Sequence, residues 1–308
     1  MQVYLPIAEM PVSVMLILAM GAAVGFVSGM FGIGGGFLMT PLLIFLGIPP
    51  AVAVATQSAQ IAASSTTSAL AAWRRDAIDL KLATVLTLGG FVGTVVGVWA
   101  FAAMRRAGQL DLVVVLSYVT LFTAIGSLML IESVRDFLAR RRGIVKPRRR
   151  AGGHPAIFGL PLRMKFPRSK LYVSVLPVAG LSLLVGFAGT ILGIGGGFIM
   201  VPALLYLFRV PTAVVIGTSQ LQVLCTSLLA VILQAAFNGA VDIVLAIMLI
   251  VGGVFGAQFG ARTGRAIRAD LFRILLGALV LAVGIRFGVE VILKPAEPFS
   301  IYVPESRR

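Results

Sequence analysis

Apolar residues along this 308-residue chain gather into long runs separated by short polar breaks. The runs fall at about 12–47, 50–72, 82–103 and 110–131, and again at about 172–208, 211–237, 241–262 and 270–293. A helix needs about 20 apolar residues to cross a hydrocarbon core of about 30 Å. The pattern therefore predicts an all-α integral membrane protein built from two halves of four hydrophobic segments each. Residues 1–131 form the first half, 132–171 a polar linker, 172–294 the second half and 295–308 a tail.

The first run of each half is too long for one span. As a single helix, residues 12–47 would extend about 54 Å. In its middle stands "GMFGIGGGFLMTPLL", residues 29–43. Three consecutive glycines, Gly34 to Gly36, favour an unwound turn. A second, shorter helix is predicted to start near Phe37, with Pro41 in or just after its first turn, where a missing N–H costs least.

The same text returns in the second half. "GFVSGMFGIGGGFLMTPLL" (25–43) aligns with "GFAGTILGIGGGFIMVPAL" (186–204) at an offset of 161. Gly25, Gly32, Gly34, Gly35, Gly36, Phe37, Met39 and Pro41 match Gly186, Gly193, Gly195, Gly196, Gly197, Phe198, Met200 and Pro202. With one-residue slips, Pro49, Thr56 and Gln60 meet Pro211, Thr218 and Gln222, while Asp79, Gly89, Gly90, Gly93 and Gly97 meet Asp242, Gly252, Gly253, Gly256 and Gly260. The sequence reads as an internal duplication.

A GIGGGF loop followed by a proline, once in each half of an eight-segment protein with a polar middle linker, resembles the sulfite exporter TauE/SafE family of membrane permeases. The resemblance spans nearly the whole chain. It implies movement of a small anion such as sulfite or a short organosulfonate, with export the expected direction, through a multi-pass protein of the cell inner membrane.

Unwound backbone at membrane depth is tolerated only where it is buried in protein or lines a wet cavity. There its N–H groups, with a positive helix end, can hold an anion without a buried cation. The expected backbone donors are Gly34, Gly35, Gly36 and Phe37, with Gly195, Gly196, Gly197 and Phe198. The evenly spaced glycines, Gly21, Gly25 and Gly29, Gly89, Gly93 and Gly97, and Gly252, Gly256, Gly260 and Gly264, read instead as close helix packing. A nucleotide loop is excluded by the lack of a preceding strand and of a following Lys-Ser/Thr.

The second segment of each half carries polar side chains through its middle. At 100° per residue, Gln57, Gln60 and Ser64 share one face, and Ser219, Gln222 and Thr226 repeat it. Such uncharged donors suit an anion that must also leave, and they complete the expected substrate site, with Gln220 as a further candidate. The alternative for each is hydrogen-bonded glue between helices.

Composition agrees with a membrane protein, with 59% hydrophobic and 12% charged residues. Residues 1–73 contain no Lys or Arg, so the basic start of a signal peptide is missing and no cleavage is expected. Of 26 basic residues, 12 lie between Arg135 and Lys170, so the net charge of +15 marks a cytoplasmic linker. Its "RRRGIVKPRRR" core has no interleaved aromatics, which favours anionic lipid headgroups over nucleic acid as the partner. Cys225 is alone, so no intrachain disulfide forms.

No catalytic constellation and no metal-ligand cluster stands out, and neither an enzyme nor a cofactor is expected. Asp76, Asp79, Asp111, Glu132, Asp242 and Asp270 all lie at segment ends, where carboxylates ordinarily face solvent. Asp79 and Asp242 differ only in being equivalent positions. Arg286 and Glu290, four apart, are spaced to pair on one helix face.

If each first run turns back at GIGGG, the halves are inverted; if it crosses once, they are parallel. Basic residues favour inversion. The loop after the second segment has three in the first half and none in the second, and the next loop has two and then four. Two rivals share these features: a passive anion channel, and a non-transporting scaffold subunit acting through the basic linker. The sequence leaves the oligomeric state open, a homodimer included.

Overall fold

The computed structural model describes residues 2–31, 36–141, 163–169, 171–208, 210–263, 277–278 and 280–289. The chain is mostly helical. Two antiparallel strands, β1 (Gln2–Leu5) and β2 (Met10–Ser13), lead into α1 (Val14–Phe31), α2 (Gly36–Phe45), α3 (Pro50–Trp73), α4 (Leu80–Arg106) and α5 (Leu110–Arg141). A second pair, β3 (Arg163–Phe166) and β4 (Leu171–Ser174), leads into α6 (Val175–Leu192), α7 (Gly197–Tyr206), α8 (Thr212–Leu233) and α9 (Ile243–Thr263). A further apolar helix, α10, covers Val280–Val289. Among the described residues, five helices are long and apolar enough to cross a membrane, within Leu80–Arg106, Leu110–Leu128, Val175–Leu192, Val214–Asn238 and Ile243–Gly260.

The all-α expectation needs one correction, because it omits the two hairpins. Their registers pair Gln2 with Ser13 and Arg163 with Ser174. Four-residue strands are too short to show a period, and β3 and β4 begin inside the stretch expected as linker, into which α5 also extends. Isolated two-stranded hairpins are marginal in water. Here Leu5, Val12, Phe166 and Val173 are buried, and each turn is tied to a carboxylate.

Those carboxylates overturn a second expectation. Asp79 and Asp242 are 2% and 0% exposed, not solvated. Asp79 caps α4 by accepting from the Leu82 N–H at 3.3 Å, and its other oxygen accepts from the Ser169 N–H and hydroxyl at 2.9 and 2.8 Å. Asp242 accepts from the Leu245 N–H at 3.1 Å and from the Ile7 N–H at 3.0 Å. Burying a carboxylate is costly unless it is hydrogen-bonded, and both are bonded to a helix start and a hairpin turn. The backbone N–H groups of Asp79 and Asp242 donate in turn to Thr218 and Thr56 at 3.1 and 2.9 Å.

Side-chain contacts fix how neighbouring helices run. Gly21 of α1 faces Gly252 of α9 and Gly29 faces Ala257, so the two are parallel. Gly89 of α4 meets Ala179 of α6 and Gly97 meets Thr190, again parallel. Gly217 at the start of α8 touches Ala72 at the end of α3, while Ser58 shares a cavity with Ala230, so α3 and α8 are antiparallel. Gly90 of α4 meets Gln222 of α8, and Arg105 at the end of α4 donates to the Asn238 carbonyl just past α8, so these are parallel. The Asp242 to Thr56 bond and the contact of Gly253 with Gln60 align α9 with α3. Thus α1, α3 and α9 point one way and α4, α6 and α8 the other. Since α1 and α3 share a direction, α2 must carry the chain back between them.

Close backbone approach explains the spaced glycines. A Cβ at Gly25 would stand 2.2 Å from the Gly253 carbonyl oxygen, and one at Gly93 would stand 2.0 Å from the Leu183 carbonyl oxygen. The α1–α9 and α4–α6 contacts are therefore of the small-residue type expected for these positions. Arg286 does not rest on a carboxylate among the described residues. Its guanidinium lies 4.5 Å from the centre of the Phe45 ring, a cation–π contact, and Glu290 falls outside the described residues.

Candidate anion-binding site

The two glycine loops lead toward each other. α6 ends at Leu192, Gly193 takes φ +65°, Gly195 and Gly196 take +72° and +77°, and α7 begins at Gly197. Three left-handed residues in four explain why the chain places glycines there. In the first half, α1 ends at Phe31 and α2 begins at Gly36; Gly34 and Gly35 lie outside the described residues. A Cβ at Gly36 would sit 2.9 Å from the carbonyl oxygens of Gly193 and Ile194. Thr40 of α2 donates to the Gly193 carbonyl at 3.3 Å. Phe37 and Phe198, the second residues of α2 and α7, stack with ring centroids 4.4 Å apart. Phe122 meets both edge-on, and the Tyr118 hydroxyl donates to the Leu192 carbonyl.

Beside the second loop lies a small cavity of about 10 Å³, lined by Gly195 and Gly196, by Gly186, Gly189 and Thr190 of α6, by Gln222, Thr226 and Ser227 of α8, and by Ser58 and Thr94. Four sequence-predicted residues, Gly195, Gly196, Gln222 and Thr226, are therefore brought together, at the N-terminal end of α7. Sequence reasoning missed Ser58, Thr94, Thr190 and Ser227. Ser58 sits one residue from Gln57 in the polar segment, but Thr94 and Thr190 are single hydroxyls in apolar helices and carry no periodic signal.

Gln222 is the unusual member. It is 0% exposed, and neither its amide nitrogen nor its amide oxygen has a hydrogen-bond partner among the described residues. Leaving buried polar atoms unmatched costs about 1–3 kcal/mol each. Most buried polar groups are satisfied, so one that faces a polar cavity with both atoms open calls for an explanation.

The other predicted side chains are buried but placed differently. Gln57 donates to the Gln60 carbonyl oxygen, and the Gln60 amide nitrogen stands against Gly253, as that of Gln222 stands against Gly90. Gln57, Gln60, Ser64, Ser219 and Gln220 do not line the cavity, although all five are no more than 3% exposed. The hydroxyls expected as donors are engaged along their own helices. Ser64 donates to the Ile61 carbonyl at 3.1 Å, Ser219 to the Ile216 carbonyl at 3.2 Å and Thr226 to the Gln222 carbonyl at 3.0 Å. No cluster of three or more His, Cys, Asp or Glu suited to a metal occurs among the described residues.

Several apolar helices of crossing length, joined by helix ends that meet around buried polar groups, define a multi-pass helical membrane protein. Residues 17–287 match the family model for the sulfite exporter TauE/SafE, and the chain belongs to that family. A "Probable membrane transporter protein" from Xylella fastidiosa is 32% identical over 79% of this chain and 81% of its own length. The "Probable membrane transporter protein YjnA" of Bacillus subtilis is 29% identical over 77% and 85%. A shorter stretch, 17% of the chain, is 48% identical to "Sulfite exporter TauE/SafE family protein 5" of Arabidopsis thaliana, covering 12% of that protein. No solved structure matches the chain.

Proposed function

We propose that the protein is a secondary transporter, not an enzyme, that exports a small sulfur-containing oxyanion such as sulfite or a short organosulfonate across the cell inner membrane. Its substrate is held by N–H groups at the start of α7 and by the Gln222 amide. The observation that carries this reading is the fully buried, unmatched Gln222 amide facing the same cavity as Gly195 and Gly196. The first N–H groups of a helix have no intrahelical partner and lie at its positive end, so an anion there is favoured by roughly 0.3–1 kcal/mol before any side chain contributes. A site without a fixed cation can also release its ligand.

The chain is two inverted repeats, each opening with a helix broken at its glycines. Adding 161 to β1, β2, α1 and α2 gives the bounds of β3, β4, α6 and α7 residue for residue. Equivalent helices run oppositely: α1, α3 and α9 against α6, α8 and α4. Contacts are exchanged between the halves in the same way, with Thr56 at Asp242 and Thr218 at Asp79, Gln60 at Gly253 and Gln222 at Gly90. The same correspondence assigns Gln60, Gly36 and Phe37 to a counterpart site, whose Gly34 and Gly35 lie outside the described residues. A helix of ten residues, α7, is about 15 Å long and brings its N-terminus to roughly half the depth of a bilayer. Inverted repeats of this kind rock about a central site. With room for about one water, the cavity must widen to take an oxyanion.

Binding to purified protein, compared across sulfite, sulfate, thiosulfate, sulfoacetate and acetate, tests the anion class. Flux into vesicles then separates a coupled transporter, which shows counterflow, from a channel, which does not. Absence of binding by any sulfur oxyanion defeats the reading. Deleting residues 143–168 tests the scaffold alternative, since a transporter keeps its ligand binding without the linker.

A further inference from the structure

We infer that the ligand of the Gln222 cavity carries a hydrogen-bond donor of its own: it is a monovalent, protonated oxyanion of the hydrogensulfite kind, not a fully deprotonated dianion. This rests on the anion site proposed above and narrows its substrate class.

The cavity's free hydrogen-bonding capacity is mixed. Gln222 offers an open donor and an open acceptor, and because both amide atoms are unmatched, the conclusion is the same whichever way the amide is turned. Three lining hydroxyls have spent their protons. Ser58 donates to the Val54 carbonyl at 3.3 Å, Thr190 to the Gly186 carbonyl at 2.8 Å and Thr226 to the Gln222 carbonyl at 3.0 Å. A carbonyl cannot donate, so in each pair the hydroxyl does, and what it turns to the cavity is lone pairs. Thr94 and Ser227 add two hydroxyls that can donate or accept, so the lining combines lone pairs on α3, α6 and α8 with donors, and a ligand must answer both.

A dianion with only acceptor oxygens would match the α7 N–H groups and the Gln222 amide nitrogen, and would face the remaining lone pairs with its own. Those contacts are repulsive, and the Gln222 amide oxygen would stay unmatched at the usual penalty. A monoanion bearing one O–H satisfies both ends, with its charge toward the α7 end and its proton toward the unmatched Gln222 amide oxygen. One negative charge also suits a cavity whose lining includes no Lys, Arg or His.

The lining contains no titratable side chain, so a pH effect on binding would come from the ligand. On the surrounding elements, α3 and α6 carry no ionisable residue. Asp79 and Lys81 lie at the start of α4, and Arg105 and Arg106 at its end. Cys225 of α8 has Thr87 as its partner, the Tyr118 hydroxyl is turned to Leu192, and Tyr206 closes α7.

The test is equilibrium binding to the full-length purified protein across neutral pH, with sulfite, sulfate and methanesulfonate as probes. Sulfite takes up a proton in this range, while the other two do not. Sulfite affinity should rise about tenfold for each unit of falling pH on the alkaline side and then level off, with sulfate and methanesulfonate weak and flat throughout. Pairing 2-hydroxyethanesulfonate with ethanesulfonate separates the two sources of a donor: preference for the hydroxylated partner assigns the role to a substrate O–H in general. Gln222→Met, checked for folding by its ligand-free melting temperature, should lose the sulfite pH dependence. Sulfite binding independent of pH, or sulfate binding as tightly, overturns the donor requirement while leaving an anion site in place. Failure of every oxyanion to bind at any pH overturns the site itself.

Discussion

The rings of Phe37 and Phe198 lie face to face, with centroids 4.4 Å apart and planes inclined by 8°. They occupy equivalent positions in GIGGGF, 161 residues apart, and both are fully buried. Two helix starts meet at this pair, held by Phe122 on its edge and by the bond from Thr40 to Gly193. If the stack joins the two halves, Phe37→Leu and Phe198→Leu will be non-additive. A double-mutant cycle on ligand-free melting should give a coupling of about 0.5–1.5 kcal/mol. Strict additivity would mean the rings only fill space.

The inverted-repeat reading proposed above predicts that the two hairpins lie on opposite faces of the membrane. In a Cys225→Ala background, an impermeant thiol reagent outside should label Tyr4→Cys and leave Tyr172→Cys unmodified. Both side chains are accessible in the folded protein, at 59% and 47% exposed, so burial cannot mimic sidedness. Equal labelling would contradict the inversion.

If Gln222 donates to the bound anion, as proposed, Gln222→Leu should weaken oxyanion binding by about 1.5–3 kcal/mol, roughly 10- to 150-fold. It should not lower the ligand-free melting temperature, because the Gln222 amide has no partner among the described residues to lose. Gln60→Leu differs, since Gln60 accepts from Gln57, and it should lower melting as well as binding. An unchanged dissociation constant in Gln222→Leu retires it as a ligand.

Gly196→Val attacks the loop directly. Gly196 has φ +77°, and a Cβ there would meet the Val185 side chain at 2.6 Å, so the turn must move. Binding should be lost while the protein stays folded and membrane-inserted, checked by size-exclusion profile and protease resistance. The packing glycines behave differently. Gly25→Ala drives a Cβ into the Gly253 carbonyl and should cost about 1–3 kcal/mol of stability, whereas Gly180→Ala, with nothing within 4 Å, should be neutral or slightly stabilising.

Asp79→Ala should release the β3–β4 hairpin. It strips acceptors from three donors, so melting should fall by about 2 kcal/mol or more, and amide exchange at Ser169 should accelerate selectively. Protection at Ser169 that survives the substitution would place the hairpin's anchor in the burial of Phe166 and Val173 alone.

Sequence alone determined the membrane class and where the apolar helices lie along the chain, because each rests on local chemistry. Apolar run length sets a crossing helix, and clustered glycines permit the left-handed turns of Gly193, Gly195 and Gly196. The repeat of text at an offset of 161, with later one-residue slips, was equally legible. Tertiary structure decided what the local pattern could not contain. Gln60 and Gln222 carry the same signal in sequence, yet Gln60 accepts from Gln57 while Gln222 is left open to a cavity, since a hydrogen-bond partner depends on which helix arrives beside it. Thr94 and Thr190 joined the site only when α4 packed along α6. Asp79 and Asp242 looked like solvated loop acids until hairpins from the opposite half folded over them, a contact between residues 90 and 235 positions apart that no window along the chain can register.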